Sequence, residues 1–128
     1  AIYRRSLQRL VRLARDSGAR VLLCTLPHFY GHLESEEARR KAWKFSVWGT
    51  LPQIEGVARR MNESIRSLAR EERVALVELS SIDRQELFGD AIHPNDQGSE
   101  KIAELVAAAL TPILRPEMPR QAAPRKRP

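Results

Sequence analysis

Two short runs, "RVLLCTLP" at residues 20–27 and "VALVEL" at 74–79, constrain the fold more than any other feature of this sequence. Both are almost wholly apolar. A strand with one wet face alternates apolar and polar residues, so a run without alternation belongs to a strand covered on both faces, as in a parallel sheet. Between the runs, Ile54, Val57, Ala58, Met61, Ile65 and Leu68 recur at helical spacing. Strand, helix and strand at this separation form a βαβ unit with parallel strands and a right-handed crossover. The fold class expected is therefore α/β, a parallel sheet flanked by helices.

Two further helices bracket this unit. Residues 2–17 place Tyr3, Leu7, Leu10, Val11 and Ala14 on one stripe, with arginines 4, 5, 9, 12 and 15 on the opposite, solvated face and Gly18 as the stop. After residue 94, Asn95 or Asp96 can cap a helix whose apolar face is Ile102, Leu105, Val106, Ala109 and Leu110, and Thr111-Pro112 should end it. Residues 28–53 read as a long loop holding His28, His32, both tryptophans and Pro52. The expected organisation is one α/β unit over residues 1–111 and a Pro/Arg-rich, disordered tail over 112–128. Two strands alone make a poor sheet, since a typical one has about five or six. Further strands are therefore expected, either upstream of Ala1 or from a second copy in a homo-oligomer that completes the sheet.

The net charge of +6 invites a nucleic-acid reading, and its location argues against one. From Pro112 onward, Arg115, Arg120, Arg125, Lys126 and Arg127 face only Glu117, so most of the excess lies in the tail. No reading module with interleaved aromatics accompanies it, and no specific nucleic-acid partner is expected. No apolar run is long enough to span a bilayer. The basic amphipathic start (AIYRRSLQRL) is not a signal peptide, which leaves the compartment open. The single cysteine, Cys24, excludes an internal disulfide and a Cys-based zinc cluster, and its apolar context reads as a small buried hydrophobe. His28 and His32 could share a helix face with Glu34 or Glu36 nearby, but Gly31 and the position after a strand favour a loop, so no metal or other cofactor is expected. Arg39, Arg40 and Lys41 beside Glu34, Glu36 and Glu37 read as a solvated helix face with i,i+4 ion pairs.

Chemistry concentrates in "FGDAIHPNDQG", residues 88–98. A carboxylate that accepts a hydrogen bond from one imidazole nitrogen fixes the tautomer, leaving the other nitrogen free to take a proton from a hydroxyl. In D-A-I-H, two intervening residues let Asp90 and His93 project the same way from one turn, and Pro94 stiffens the exit. The spacing alone is a weak signal, since D-x-x-H arises often by chance, and by itself it favours a tight turn with a helix-proximal histidine.

The longer stretch "LFGDAIHPNDQGSEKIAELVAAAL" resembles the last block of the SGNH/GDSL hydrolases, in which D-x-x-H-P, a few residues and a glycine precede the C-terminal helix. The match covers Asp90, His93, Pro94, Asn95 and Gly98. "YRRSLQRLVRLARDSGARVLLCTLP" and "MNESIRSLAREERVALVELSSID" are similar to the helix–strand pairs that precede that block, so the resemblance spans about residues 3–110. It implies a three-layer α/β/α fold of SGNH/flavodoxin-like type. It also implies a serine hydrolase acting on carboxylic esters, of esterase, lipase or deacetylase type, on a small-molecule or glycan ester. His93 takes the position of the general base and Asp90 that of its orienter. The family's nucleophile lies in an N-terminal Gly-Asp-Ser block, and a Gly and an Asn from two intermediate blocks help form the oxyanion hole. None of these has a match here: Gly89-Asp90 is followed by alanine, no Gly-x-Asn-Asp occurs, and G-x-S-x-G is absent as well. Serines 6, 17, 35, 46, 64, 67, 80, 81 and 99 stand in no such motif.

The expectation is thus the C-terminal half of such a hydrolase, inactive by itself. The loop after the first strand borders the substrate cleft in that family, which makes Phe29, Tyr30, Trp43 and Trp48, together with Phe45, an acyl- or alcohol-binding wall or a cover for the sheet's edge. The competing expectation is a non-catalytic SGNH-like domain that binds carbohydrate or protein through the aromatic loop 28–53.

Overall fold

The computed structural model describes residues 2–28, 51–90 and 92–114. Helix α1 (Ile2–Asp16) leads into strand β1 (Leu22–Cys24), and helix α2 (Leu51–Glu72) leads into strand β2 (Ala75–Val77). Two 3-10 turns, Leu79–Ser81 and Gln85–Leu87, then carry the chain to helix α3 (Asp96–Leu114). The strands pair in parallel, with Leu22 opposite Ala75, Leu23 opposite Leu76 and Cys24 opposite Val77.

Side chains alternate across that short sheet, and each face has its own cover. On one face, Leu23 and Leu76 meet Val11, Leu7 and Tyr3 of α1 and Ile65, Leu68 and Ala69 of α2. On the other, Leu22, Cys24 and Val77 meet Ile102, Leu105, Val106 and Ala109 of α3, with Leu79, Ile82 and Phe88 closing the cluster. Helices therefore flank the sheet on both sides, which is why the strands lack polar alternation. Complete burial of Leu68, at 0% exposure, contributes about 2–3 kcal/mol.

Helix ends follow backbone chemistry. Gly18, at φ 81°, closes α1 with a bond from Ala19 N–H to Ala14 O (2.9 Å) and one from Gly18 N–H to Arg15 O (2.9 Å). This left-handed C-terminal motif is where glycine is favoured. Arg73 plays the same part for α2 without being glycine: its φ is 52°, and Val74 N–H reaches Ala69 O at 3.0 Å.

Several expectations need correcting. The strands are three residues each rather than the full apolar runs. Past Thr25 the Leu26 N–H turns to the Asn62 side chain, and Leu79 opens a 3-10 turn. Helix α2 begins at Leu51, inside the span expected to be loop, because Pro52 in a first turn loses no helical hydrogen bond. Helix α3 runs through Pro112 to Leu114 instead of stopping at Thr111. The carbonyl that loses its partner there belongs to Ala108, an exposed residue, where an unmet acceptor costs less than it would in the core. Leu10 is 62% exposed and off the buried stripe, which runs through Tyr3, Leu7, Val11 and Ala14. Val57 likewise stays on the surface at 46%.

The arginine face of α1 is not simply solvated. Arg4 pairs with Glu71, while Arg12 (3.1 Å) and Gln8 (2.8 Å) reach the Glu72 carboxylate and Arg15 reaches the Glu72 carbonyl (2.7 Å). Exposed pairs of this kind contribute about 0–1 kcal/mol each. Their larger effect is to fix α1 against the C-terminal turn of α2.

Candidate active site

The stretch after β2 folds back on itself because Phe88 is buried at 8% exposure and anchors one end of a loop. Phe88 and Pro94 form an antiparallel bridge, and Gly89 N–H donates to His93 O at 2.9 Å. Inside the loop, one carboxylate oxygen of Asp90 accepts the N–H groups of Ile92 (2.9 Å) and His93 (2.8 Å). Aspartate favours such turns because its side chain bonds the backbone two or three residues on. The other oxygen, Oδ2, lies 2.6 Å from His93 Nδ1. A short contact of this kind is a charge-assisted hydrogen bond.

Electrostatics follow from those bonds. Burial pushes the Asp90 carboxyl up, but hydrogen bonds from Ile92 N–H, the His93 ring and His93 N–H, together with the His93 charge, outweigh it and hold the group below 3.8. Asp90 therefore favours its ionised form, and a carboxylate beside Nδ1 favours a proton on that nitrogen. The histidine side chain is 74% exposed. Among the described residues none hydrogen-bonds its Nε2, which is open to an incoming hydroxyl.

Helix α3 supports the loop from below. Asn95 is its N-cap: Oδ1 accepts Gly98 N–H at 3.0 Å, and Asn95 O accepts Ser99 N–H at 2.8 Å. Gly98 is buried against the loop, where a Cβ would stand 2.0 Å from Leu87 O. Only glycine fits that approach.

The structure thus brings Asp90 and His93 together, while Phe29, Tyr30, Trp43 and Trp48 lie outside the described residues. The described serine hydroxyls that make bonds are committed elsewhere: Ser17 to Ala14 O, Ser64 to Arg60 O, Ser67 to Glu71, Ser80 to Glu78 and Ser81 to Glu78 O. An open groove of about 510 Å³ between α1 and α2, floored by Tyr3, Val57 and Met61, includes neither Asp90 nor His93. Among the described residues no cluster of three or more His, Cys, Asp or Glu could hold a metal ion. Among them also, no helix is long and apolar enough to cross a membrane.

The family model for GDSL-like lipase/acylhydrolase matches residues 1–106. The chain belongs to this GDSL-like hydrolase family. Neither the curated proteins nor the solved structures contain a match. In the GDSL-like chain the matched region takes in both strands, α1, α2 and the Asp90–His93 loop.

Sequence reasoning missed the polar network at the strand exits. Asn62 is 2% exposed on α2 and clamps Leu26 from both sides, accepting its N–H (2.7 Å) and donating to its carbonyl (3.0 Å). Thr25, at 1% exposure, accepts Ser80 N–H at 2.9 Å and so ties the two exits together. Arg66 holds Glu78 through Nε at 2.9 Å and Nη2 at 3.0 Å, and also donates to Ser80 Oγ at 2.7 Å. A signal was present: Asn62 sits on the same helical stripe as Ala58, Ile65 and Ala69, and a buried amide needs partners.

Proposed function

We propose that this chain carries the base and orienter of an SGNH-type serine hydrolase that cleaves carboxylic esters. The observation that carries the reading is the 2.6 Å bond from His93 Nδ1 to Asp90, with Nε2 open. His93 acts as general base. It takes the proton of a serine hydroxyl through Nε2 as the serine oxygen attacks the ester carbonyl, and it returns that proton to the departing alkoxide. Water then attacks the acyl-enzyme by the same route, releasing the acid. Asp90 holds the ring and stabilises the imidazolium that forms.

The nucleophile comes from polypeptide outside this chain. Support comes from the absence of a Gly-Asp-Ser block in the sequence and from the two-stranded sheet, each strand of which has one unpaired edge among the described residues. A parallel strand covered on both faces but open at its edge is a docking line for another strand. The substrate class is a small-molecule or glycan ester.

The test is His93→Ala in the serine-bearing protein, assayed on a short aryl ester. Turnover should fall by roughly three orders of magnitude or more. Unchanged turnover would remove His93 from the mechanism. The 128-residue chain by itself should not react with a fluorophosphonate probe, and labelling of one of its own serines would overturn the placement of the nucleophile.

A further inference from the structure

We infer that Asn95 is a positioning residue that sets His93 against Asp90, through a tie distinct from its role as helix cap. The inference rests on the reading of Asp90 and His93 as orienter and base. Asn95 uses every polar group it has on two different segments. Toward the helix, Oδ1 accepts Gly98 N–H (3.0 Å) and the carbonyl accepts Ser99 N–H (2.8 Å). Toward the chain entering the loop, the backbone N–H donates to Leu87 O (3.0 Å) and Nδ2 donates to Glu86 O (2.7 Å).

The loop from Phe88 to Pro94 therefore leaves and returns through one residue. Its entry is pinned at Glu86 and Leu87, and its exit is pinned to the first turn of α3. The choice of amide distinguishes the two jobs. Serine and aspartate cap a helix as well as asparagine does, but an ionised aspartate has no side-chain donor, and serine has one oxygen on a shorter side chain where asparagine sets a separate acceptor and donor against Gly98 N–H and Glu86 O. An aspartate would turn a carboxylate oxygen toward the Glu86 carbonyl, where both groups are acceptors. Losing the Glu86 tie removes one of the two Asn95 bonds that hold the entry side of the loop, and the 2.6 Å contact between Asp90 Oδ2 and His93 Nδ1 depends on the two sides keeping their register.

The test uses the 128-residue chain, with ring ¹⁵N shifts of His93 recorded above its titration so that the neutral tautomers are read directly. In the unsubstituted chain the Nδ1–H form predominates, held by Asp90. Asn95→Ser and Asn95→Asp should both lose that predominance and move toward the Nε2–H form, while far-UV circular dichroism shows α3 intact. Two variants are used because aspartate, at a helix N-terminus, keeps the cap even if serine frays it. Retention of the Nδ1–H form in the folded variants overturns the role of Asn95 and leaves the Asp90–His93 reading standing. A chain without Nδ1–H predominance before any substitution overturns that reading itself, and the role of Asn95 with it.

Discussion

Replacing Gly98 with alanine sets two physical effects of opposite sign against each other. On helix propensity the change should help, because alanine is better than glycine in a helix by about 0.8–1 kcal/mol. The packing reverses that sign. A Cβ at residue 98 would lie 2.0 Å from Leu87 O, 3.1 Å from Leu87 C and 3.0 Å from Pro94 Cβ. The obstacle is backbone, so no side-chain rotation relieves it. Leu87 O is also held in place as the acceptor of Asn95 N–H at 3.0 Å, and Glu86 O as the acceptor of Asn95 Nδ2 at 2.7 Å.

Restoring ordinary contact, at 3.4 Å or more, requires the loop and the helix to part by over an ångström. Both bonds to Asn95 cannot survive that shift. Each lost bond costs about 1 kcal/mol, and overpacking adds about 1–3 kcal/mol. After subtracting the propensity gain of about 1 kcal/mol, the net loss is about 2–4 kcal/mol. Urea unfolding followed by far-UV circular dichroism reads this directly. With a slope near 1.5 kcal/mol per molar, the midpoint should fall by roughly 1–3 M. A midpoint that is unchanged, or raised as propensity alone requires, would refute the close approach of α3 to Leu87.

Two further outcomes come from the same structure. Arg73→Gly should raise stability by about 0.5–1 kcal/mol, because a left-handed conformation strains any residue with a Cβ and Arg73 holds φ 52° on an exposed corner; a lower urea midpoint would contradict the strain. Acid should destabilise the fold through Asp90 and Glu78. The Arg66 hydrogen bond, opposed by burial and helped by the Arg66 charge and by Ser80 and Thr25, holds Glu78 below 4.5, as the loop bonds hold Asp90 below 3.8. Groups with depressed folded values stabilise fully above their unfolded values and lose that contribution as pH falls through the folded ones. Urea midpoints should therefore stay level from about pH 7 to 5 and drop below about pH 4, with the drop reduced in Arg66→Met; equal midpoints at pH 5 and pH 3 would contradict it.

What was legible in the sequence follows from periodicity. Leu22, Leu23 and Cys24 lack polar alternation because α1 and α2 cover one face and α3 the other, and a parallel strand leaves that mark in its composition. The membership in the hydrolase family was legible as a resemblance, carried by the block with Asp90, His93, Pro94, Asn95 and Gly98 and by the helix–strand stretches before it. The ends of elements were harder. Whether Pro112 stops α3 depends on the surroundings of the freed Ala108 carbonyl, and Ala108 is an exposed residue. Whether Arg12 is solvated depends on Glu72, sixty residues away in sequence, arriving beside it. Asn62 looked like an ordinary polar residue because its partners, the backbone groups of Leu26, carry no side-chain signature.

The geometry and the strength of the Asp90–His93 pair have different origins. Geometry is largely local: the hydrogen bonds that Asp90 and Asn95 make in the loop run between residues 86 and 98. Strength is not local. With the His93 side chain 74% exposed and that of Asp90 42% exposed, water screens the pair. Two unit charges 4 Å apart attract by about 1 kcal/mol in water and about 4 kcal/mol at the effective dielectric near a protein surface. On the proposed reading, a serine-bearing segment packed against Nε2 would displace that water, supplying the nucleophile and also deepening the stabilisation that Asp90 would give to an imidazolium. Substitutions at Asn95 or Gly98 act on the first property and leave the second to the covering segment. On the proposed reading, a preformed but solvated pair is thus a base and orienter whose power depends on what encloses it.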